Sequence, residues 1–289
     1  MADIKLFVCC HRPAMVPEHP LLVSLQVGAA LAGRHFPGSL HDDTDDNISC
    51  KNQSYCELTG HYWAWKNVEA DYYGFFHYRR YLYPNAKAKR PYRIEGVPTD
   101  ALLDKLGYQG FADLIQQYDL IIPIGENMYD PVRRHYAKAP FHHGEDLRLA
   151  EQIVREQHPE MAVAMEEYLS GTVCYFGNIY IMKRPVFHDY CAWLFPILGE
   201  FDRRADLSSY SPQEKRVDGY LGERLFGIWM TYMLSKLRIL ELPRVHFCSG
   251  KDYVQRQALN RVLPPGSRRR AVIKNLLTSR PQREDIVCL

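Results

Sequence analysis

Two adjacent arginines close a polar and aromatic run, His77-Tyr78-Arg79-Arg80-Tyr81, and this run is the strongest chemical signal in the chain. Guanidinium forks make paired hydrogen bonds to phosphate oxygens, and a neighbouring aromatic ring can stack on a base. The run ends a stretch from Asp42 to Tyr83 that also holds an acidic loop with Asp42, Asp43, Asp45 and Asp46 and an aromatic helix. Such a density of polar chemistry exceeds what a core requires, so a phosphorylated ligand is the first reading. Alternation along a strand sends Arg79 and Arg80 to opposite faces unless the strand has already ended, so one of them can be structural. A salt bridge to the acidic loop is the plain alternative use of the pair.

The four aspartates of that loop suit a hard cation such as Mg2+ or Mn2+, although the spacing of a dedicated calcium loop is absent. The alternative is a solvated turn that caps the next helix through Asn47 or Ser49. Glu223-Arg224 lies in a helical segment whose other positions, Tyr220, Leu221, Leu225, Ile228 and Trp229, are apolar. A carboxylate against such a face has a raised pKa suited to general-base work, unless the two residues form an ordinary ion pair. His143 and Asp146, three apart, could share a ligand or a proton. Neither GxxxxGK[ST], GxGxxG nor GxSxG is present, which weighs against P-loop enzymes, Rossmann dehydrogenases and α/β-hydrolases. Nucleotide-sugar chemistry is the main remaining class.

The elements that would position these residues follow from pattern. Lys5 to Cys10 reads as a first strand with a ligand-side loop, His11 to His19, at its carboxyl end. Leu21 to Ala32 has helical spacing and stops at Gly33, whereas residues 38 to 52 read as loop. Leu58, Tyr62 and Trp65 define one face of a helix over Tyr55 to Asn67. Strands are expected at Tyr72 to Tyr78, Leu120 to Ile124, Tyr175 to Met182 and Ile239 to Val245. Helices are expected from Pro185 to Leu198, with the proline in the first turn, and from Gly219 to Leu237. Pro84 to Pro98 reads as surface loop, and Glu126 to Asp146 as a flap over a pocket or an ordinary surface excursion. Strands alternating with helices argue for an α/β layered domain.

The chain has 289 residues, 46% hydrophobic and 24% charged, enough to bury a sizeable core. No targeting peptide or spanning helix is evident, and the eight cysteines show no zinc-finger spacing, so reduced thiols and a cytoplasmic setting are expected. From Lys251 to Leu289 nine basic residues face three acids, a charge of +6 that leaves −4 for the first 250 residues. The division expected is a main domain over 1–250 and a basic, helical tail over 251–289. Arg268-Arg269-Arg270 followed by a short apolar run suits an anionic membrane surface, and a packed or free basic helix is the alternative. Confinement of the basic charge to the tail argues against nucleic acid as a partner.

Several segments resemble a family of bacterial capsule, exopolysaccharide and O-antigen galactofuranosyltransferases, long catalogued as a domain of unknown function. They are Asp46-Asn47-Ile48-Ser49 with Lys51-Asn52, Tyr55-Cys56-Glu57-Leu58-Thr59-Gly60, Tyr62-Trp63, Trp65-Lys66-Asn67 and His77 to Tyr81. They continue through Gly177-Asn178, Ile181-Met182, Tyr190-Cys191, Trp193-Leu194-Phe195, and Gly219 with Leu221 and Glu223-Arg224-Leu225. Asp45 stands where that family's pattern has glycine.

The resemblance implies a GT-A-like fold, a Rossmann-type mixed sheet flanked by helices, and inverting transfer of galactofuranose from UDP-galactofuranose to a lipid-linked or growing glycan. The donor contacts then expected are Cys10, His11, Asp46, Asn47, Ser49, Asn52, Trp65, Lys66, His77, Arg79, Arg80 and Asn178. Glu223 is the first choice as base, with Asp46 and Asp146 in reserve, and His143, Glu223 and Arg224 face the acceptor. Arginines at the end of the Tyr72 strand can replace the usual metal motif, while the acidic loop keeps Mn2+ or Mg2+ open. Transfer of a pyranose from UDP-galactose or UDP-glucose, or a non-catalytic glycan- or polyanion-binding module, are the competing readings.

Overall fold

The computed structural model describes residues 2–278, with side chains through Ile273. The remaining tail residues, including Lys274, Arg280, Arg283 and Cys288, lie outside what is described at side-chain level.

Twelve strands are present among the described residues: β1 (Ile4–Cys10), β2 (Leu22–Gln26), β3 (Leu40–His41), β4 (Tyr72–His77), β5 (Arg80–Leu82), β6 (Tyr92–Glu95), β7 (Leu120–Pro123), β8 (Glu126–Asn127), β9 (Val173–Cys174), β10 (Tyr180–Lys183), β11 (Ile239–Leu242) and β12 (Arg244–Phe247). The helices are α1 (Asn52–Tyr55), α2 (Leu58–Asn67), α3 (Asp100–Lys105), α4 (Phe111–Ile115), α5 (Val132–Lys138), α6 (Gly144–Gln157), α7 (Ala162–Ser170), α8 (Arg184–Arg204), α9 (Val217–Met233), α10 (Gly250–Val262) and α11 (Arg268–Thr278). The main sheet runs β11-β7-β10-β4-β1-β2-β3, with β5, β12 and β6 branching from β4. Strands β4, β1, β2 and β3 are parallel, and β10 is antiparallel to both β4 and β7. The expected mixed α/β sheet is therefore the architecture found.

Alternation along β1 divides the core. Phe7 and Cys9 join the cluster under α2, α6, α7, α8 and α9, whereas Leu6, Val8 and Cys10 join the cluster under α3 and α4. The chain leaves β1 for β2 and β3 on one side and returns to β4 on the other. That reversal makes a crevice at the carboxyl ends of β1 and β4, the usual ligand position in an open α/β sheet.

Several expectations change. Leu21 to Ala32 is not a helix: Leu22–Gln26 pairs in parallel with β1, and only Ala29–Leu31 forms a short 3-10 turn. Ladder hydrogen bonds and burial of Leu25 outweigh the local helical spacing. Pro84 to Pro98 contains β6, whose Tyr92 and Ile94 are buried where β6 pairs with β12. The late strand splits at Pro243, which has no N–H for a ladder, into β11 and β12. Tyr175 to Met182 is a strand only from Tyr180, and the freed segment before it becomes part of the site. The expected flap is anchored, since Val132 and Tyr136 of α5 are fully buried.

The start of α9 carries a fully buried carboxyl, Asp218, which accepts a hydrogen bond from Ser54 Oγ. Burial, and then the charge of Asp202, raise its pKa well above the ordinary 3.8. Asp202 is itself held by Lys51 at 2.7 Å and by the Tyr55 hydroxyl at 2.9 Å. A carboxyl with a raised folded pKa takes up a proton on folding, so its contribution is intact at acid pH and is lost as pH rises above its unfolded value. Asp218→Asn mimics the protonated form. Relative to the natural chain, its Tm should rise progressively between about pH 5 and about pH 8. A Tm difference independent of pH, read by thermal melts across that range, would show that Asp218 does not titrate this way.

Candidate active site

At the crevice, β4 turns into β5 through Tyr78-Arg79, and His77 pairs directly with Arg80. The strand has thus ended before the arginines, and the two side chains take separate directions. Arg79 lies 5.3 Å from the Tyr78 ring, a ring also approached by Arg12 at 5.2 Å. Arg80 runs inward past Gly177, close enough that a Cβ there would sit 3.9 Å from its Nη1. The salt bridge to the acidic loop is not made. Asp43 pairs with His35, Asp42 caps Gly28 and Ala29, and Asp46 accepts from Tyr62.

His11 and His77, at the ends of β1 and β4, have ring centres 6.2 Å apart. Burial, then Arg80 and Arg79, push His77 down to about 2, and burial followed by Arg12 and Arg216 lowers His11. Both imidazoles are therefore neutral near pH 7, which leaves the positive charge on the guanidiniums. Burial, Arg244 and Arg79 also lower Arg80, while Glu223 and Glu57 support its charge.

Two carboxylates face these cations. Glu223 Oε1 accepts the Gly177 N–H at 2.6 Å, and its Oε2 lies 3.3 Å from Arg224 Nη1. Burial raises its pKa and the charge of Glu57 adds to that, against Arg224, the Gly177 N–H and Arg80. Glu57 Oε1 accepts from Asn178 Nδ2 at 2.8 Å, and the same amide donates to Gly219 O at 3.2 Å. Both Gly177 (φ 95) and Asn178 (φ 48) are left-handed, which folds the loop over the two acids. Cys56 (φ 52) breaks α1 from α2 and directs Glu57 into the crevice. Gly222 lets α9 come close, since a Cβ there would stand 2.7 Å from Leu58 Cδ1 and 3.3 Å from Asn178 Oδ1.

His11, His77, Arg79, Arg80, Asn178 and Glu223 are thus brought together, and other candidates are placed elsewhere. Cys10 turns into the opposite core cluster, its thiol directed at Val8 O and pushed by burial up to about 12. Asp46 lies beside Asn67, at the far end of α2 from Glu57, a separation of roughly 15 Å along a helix rising 1.5 Å per residue. Trp65 stacks on Phe195 at that same end, with Lys66 over it at 3.7 Å. Asn47 closes its own turn onto Ser49, and Ser49 is buried between Ala30 and Asp42. Asn52 ties Cys56 to Thr59.

The acidic loop thus acts as a cap and turn. Its residue Asp45 adopts φ 49, the backbone for which glycine is favoured. Arg224 is 2% exposed behind Glu223, between Tyr136 and Phe176, with no face for an acceptor.

His143 and Asp146 share a partner, Tyr210, which stacks on the imidazole and donates to the carboxylate at 2.8 Å. Through Glu214, which lies 3.1 Å from His143 Nε2, the assembly reaches the turn that carries Arg216. The neighbouring His142 stacks on Tyr220, one helical turn before Glu223. Glu57, Arg12 and Arg216 were not among the residues singled out from sequence. The signal for Glu57 was its place inside the Tyr55 to Gly60 motif, whereas Arg216 carried none.

Residues 5–234 match the family described as a domain of unknown function, DUF4422. The chain belongs to this family. Every crevice residue named above, apart from Arg244, falls within the matched span. Among solved structures, the apo form of WbbM, a bifunctional glycosyltransferase, shares the fold with a TM-score of 0.81 and 30% identity. The match covers 86% of this chain and 46% of WbbM, so the chain spans about half that protein's length. No curated protein matches the chain.

A Cβ on Gly177 would be forced into a left-handed backbone and would meet Ile179 Cδ1 at 3.3 Å. Gly177→Ala should therefore lower the unfolding free energy by about 1–2 kcal/mol, read from urea midpoints. An unchanged midpoint would mean that the loop does not take this backbone.

Proposed function

We propose that the protein is an inverting glycosyltransferase that moves galactofuranose from UDP-galactofuranose to a lipid-linked or growing glycan acceptor in surface-polysaccharide synthesis. The observation that carries this reading is Glu223: a carboxylate with a raised pKa, held by the Gly177 N–H at 2.6 Å beside Arg80, at the mouth of the β1/β4 crevice. The fold shared with WbbM and the DUF4422 membership support glycosyl transfer, and the quoted motifs support the furanose donor.

In this reading Arg79 and Arg80 take the donor diphosphate, and the neutral His11 and His77 supply hydrogen bonds. The acceptor oxygen attacks the anomeric carbon, the bond from that carbon to the UDP oxygen breaks, and the acceptor proton passes to Glu223. Arginine charge stabilises the departing UDP. A hard Mn2+ or Mg2+ does not fit the strand end, which offers His77 and arginines rather than paired acids. We place the acceptor at an anionic membrane surface, on the cytoplasmic side. Helix α10 supports this, with no buried residue, exposed Val254 and Val262, and the cations Lys251, Arg256 and Arg261, whereas Arg270 of the expected basic triplet is turned inward to Asn260 and Leu263 O. Among the described residues no helix is long and apolar enough to cross a membrane.

Product formation with UDP-galactofuranose and with UDP-galactose, each with and without chelator, tests the reading. Transfer from the furanose donor that survives chelation is expected, and transfer from the pyranose donor alone would refute the donor assignment. Glu223→Gln should lower turnover about a hundredfold or more at unchanged donor affinity. Replacing Arg79 or Arg80 by Lys should weaken UDP binding in calorimetry, because charge remains while the fork is lost. Unchanged UDP affinity in both Lys variants would remove the arginines from the donor site.

A further inference from the structure

A second cluster lies at the opposite edge of the parallel strands. His41 ends the two-residue strand β3, and Asp43, two residues on, returns to the same side of the chain. His35 comes from the loop after the Ala29–Leu31 turn, and its ring stacks on that of His41 with centres 3.9 Å apart and planes 12° from parallel. One nitrogen of each ring and a carboxylate oxygen of Asp43 all lie within 4.8 Å of one another.

The backbone on both sides of the cluster is held. Gln26, fully buried and in register with His41, accepts the Phe36 N–H at 2.7 Å and donates to Arg34 O at 3.1 Å, which brackets His35. Asp42, also fully buried, takes the Gly28 and Ala29 N–H groups at 3.0 Å each and so fixes the chain between His41 and Asp43. Rigid positions of this kind are what a ligand-binding cluster needs, and a loose surface turn would not show them.

The contact between His41 and Asp43 is the telling one. His41 Nδ1 and Asp43 Oδ1 stand 3.2 Å apart, both buried, yet they do not meet hydrogen-bond geometry and have no other hydrogen-bond partner. Two atoms each bound at about 2.0–2.1 Å to a tetrahedral zinc are roughly 3.3 Å apart. That spacing suits two ligands on one cation as well as a histidine–carboxylate ion pair, and the exposed His35, 2.8 Å from Asp43 Oδ2, must swing out of its stack on His41 to become the third, because a ring nitrogen binds metal in the plane of its ring.

We propose that His35, His41 and Asp43 form a zinc-class metal site with a solvent-facing fourth position, separate from the crevice. Two imidazoles and one carboxylate select Zn2+ and its transition-metal neighbours over Mg2+ and Mn2+, which prefer all-oxygen shells. In the sheet, His41 pairs with Gln26 and Gln26 with Cys10, so the site is two strands from the end of β1, roughly 10 Å at the usual strand spacing. Its metal would pin the short edge strand β3 to the loop before it, with no part in the transfer step.

The test uses the full chain stripped with chelator, titrated with Zn2+ against a chromophoric competitor, with Mg2+ as a parallel arm and Tm measured alongside. One Zn2+ per chain, binding at micromolar or tighter affinity with a rise in Tm and no response to Mg2+, is expected. His35→Ala, which removes a ring already half exposed, and Asp43→Asn should each weaken Zn2+ binding roughly tenfold or more while the metal-free circular dichroism stays that of the natural chain. No stoichiometric Zn2+, equal binding of Mg2+, or affinity unchanged in both variants would overturn the site.

Discussion

The crevice depends on two acids being held in place while out of bulk water. A buried carboxylate is stable only when its oxygens find donors or cations, and removing those partners costs more than the pair contributes. Here the loop at Gly177-Asn178 supplies them: one backbone N–H for Glu223 and one side-chain amide for Glu57. The left-handed backbone at both positions lets a single turn serve both acids. Arg80 then lies against that turn, so the spacing of its guanidinium from Glu223 is set by the loop rather than by a direct ion pair.

The electrostatic consequence is a crevice with an unspent positive charge. Among the described residues, Arg79 and Arg80 close no ion pair, and burial, followed by the guanidiniums around them, pushes His77 and His11 to their neutral forms. Mutual repulsion among fixed cations is a cost in the free protein that an incoming anion removes. Because the cations are positioned beforehand, little reorganisation is required when negative charge arrives, which is the main source of electrostatic catalysis. The acid side of the crevice works in the opposite sense, since desolvation raises the pKa of Glu223.

Much of the polar sequence between Asp42 and Asn67 serves the scaffold instead. Asp42, Ser49 and Asn52 satisfy backbone and side-chain groups where β2 ends and α2 begins, and Trp65 and Lys66 cover α8. These residues share sequence neighbourhood with Glu57 and chemistry with a binding site. Helix α2 separates Trp65 and Lys66 from it, because ten residues of helix carry the chain across the domain, whereas Asp42, Ser49 and Asn52 are turned to the scaffold by their own hydrogen bonds.

By itself the sequence determined the elements whose pattern was strong: the apolar runs of β1, β4 and β7, the Pro-started α8 and the apolar-rich α9, and with them a layered α/β domain. It also marked His77, Arg79, Arg80 and Glu223, since charged side chains at strand ends and on apolar helices have few structural uses, while Asn178 came from the family resemblance alone. Tertiary structure alone decided that Leu22–Gln26 is a strand, because its ladder partner β1 is remote from any local pattern. It also decided which polar residues meet. Glu57, Asn178 and Glu223 are separated by more than a hundred residues end to end, and only the packing of α9 and the left-handed turn against the start of α2 places them within hydrogen-bond reach of one loop. Helix rise and strand alternation act over a few residues, so they cannot specify contacts that depend on how remote elements stack.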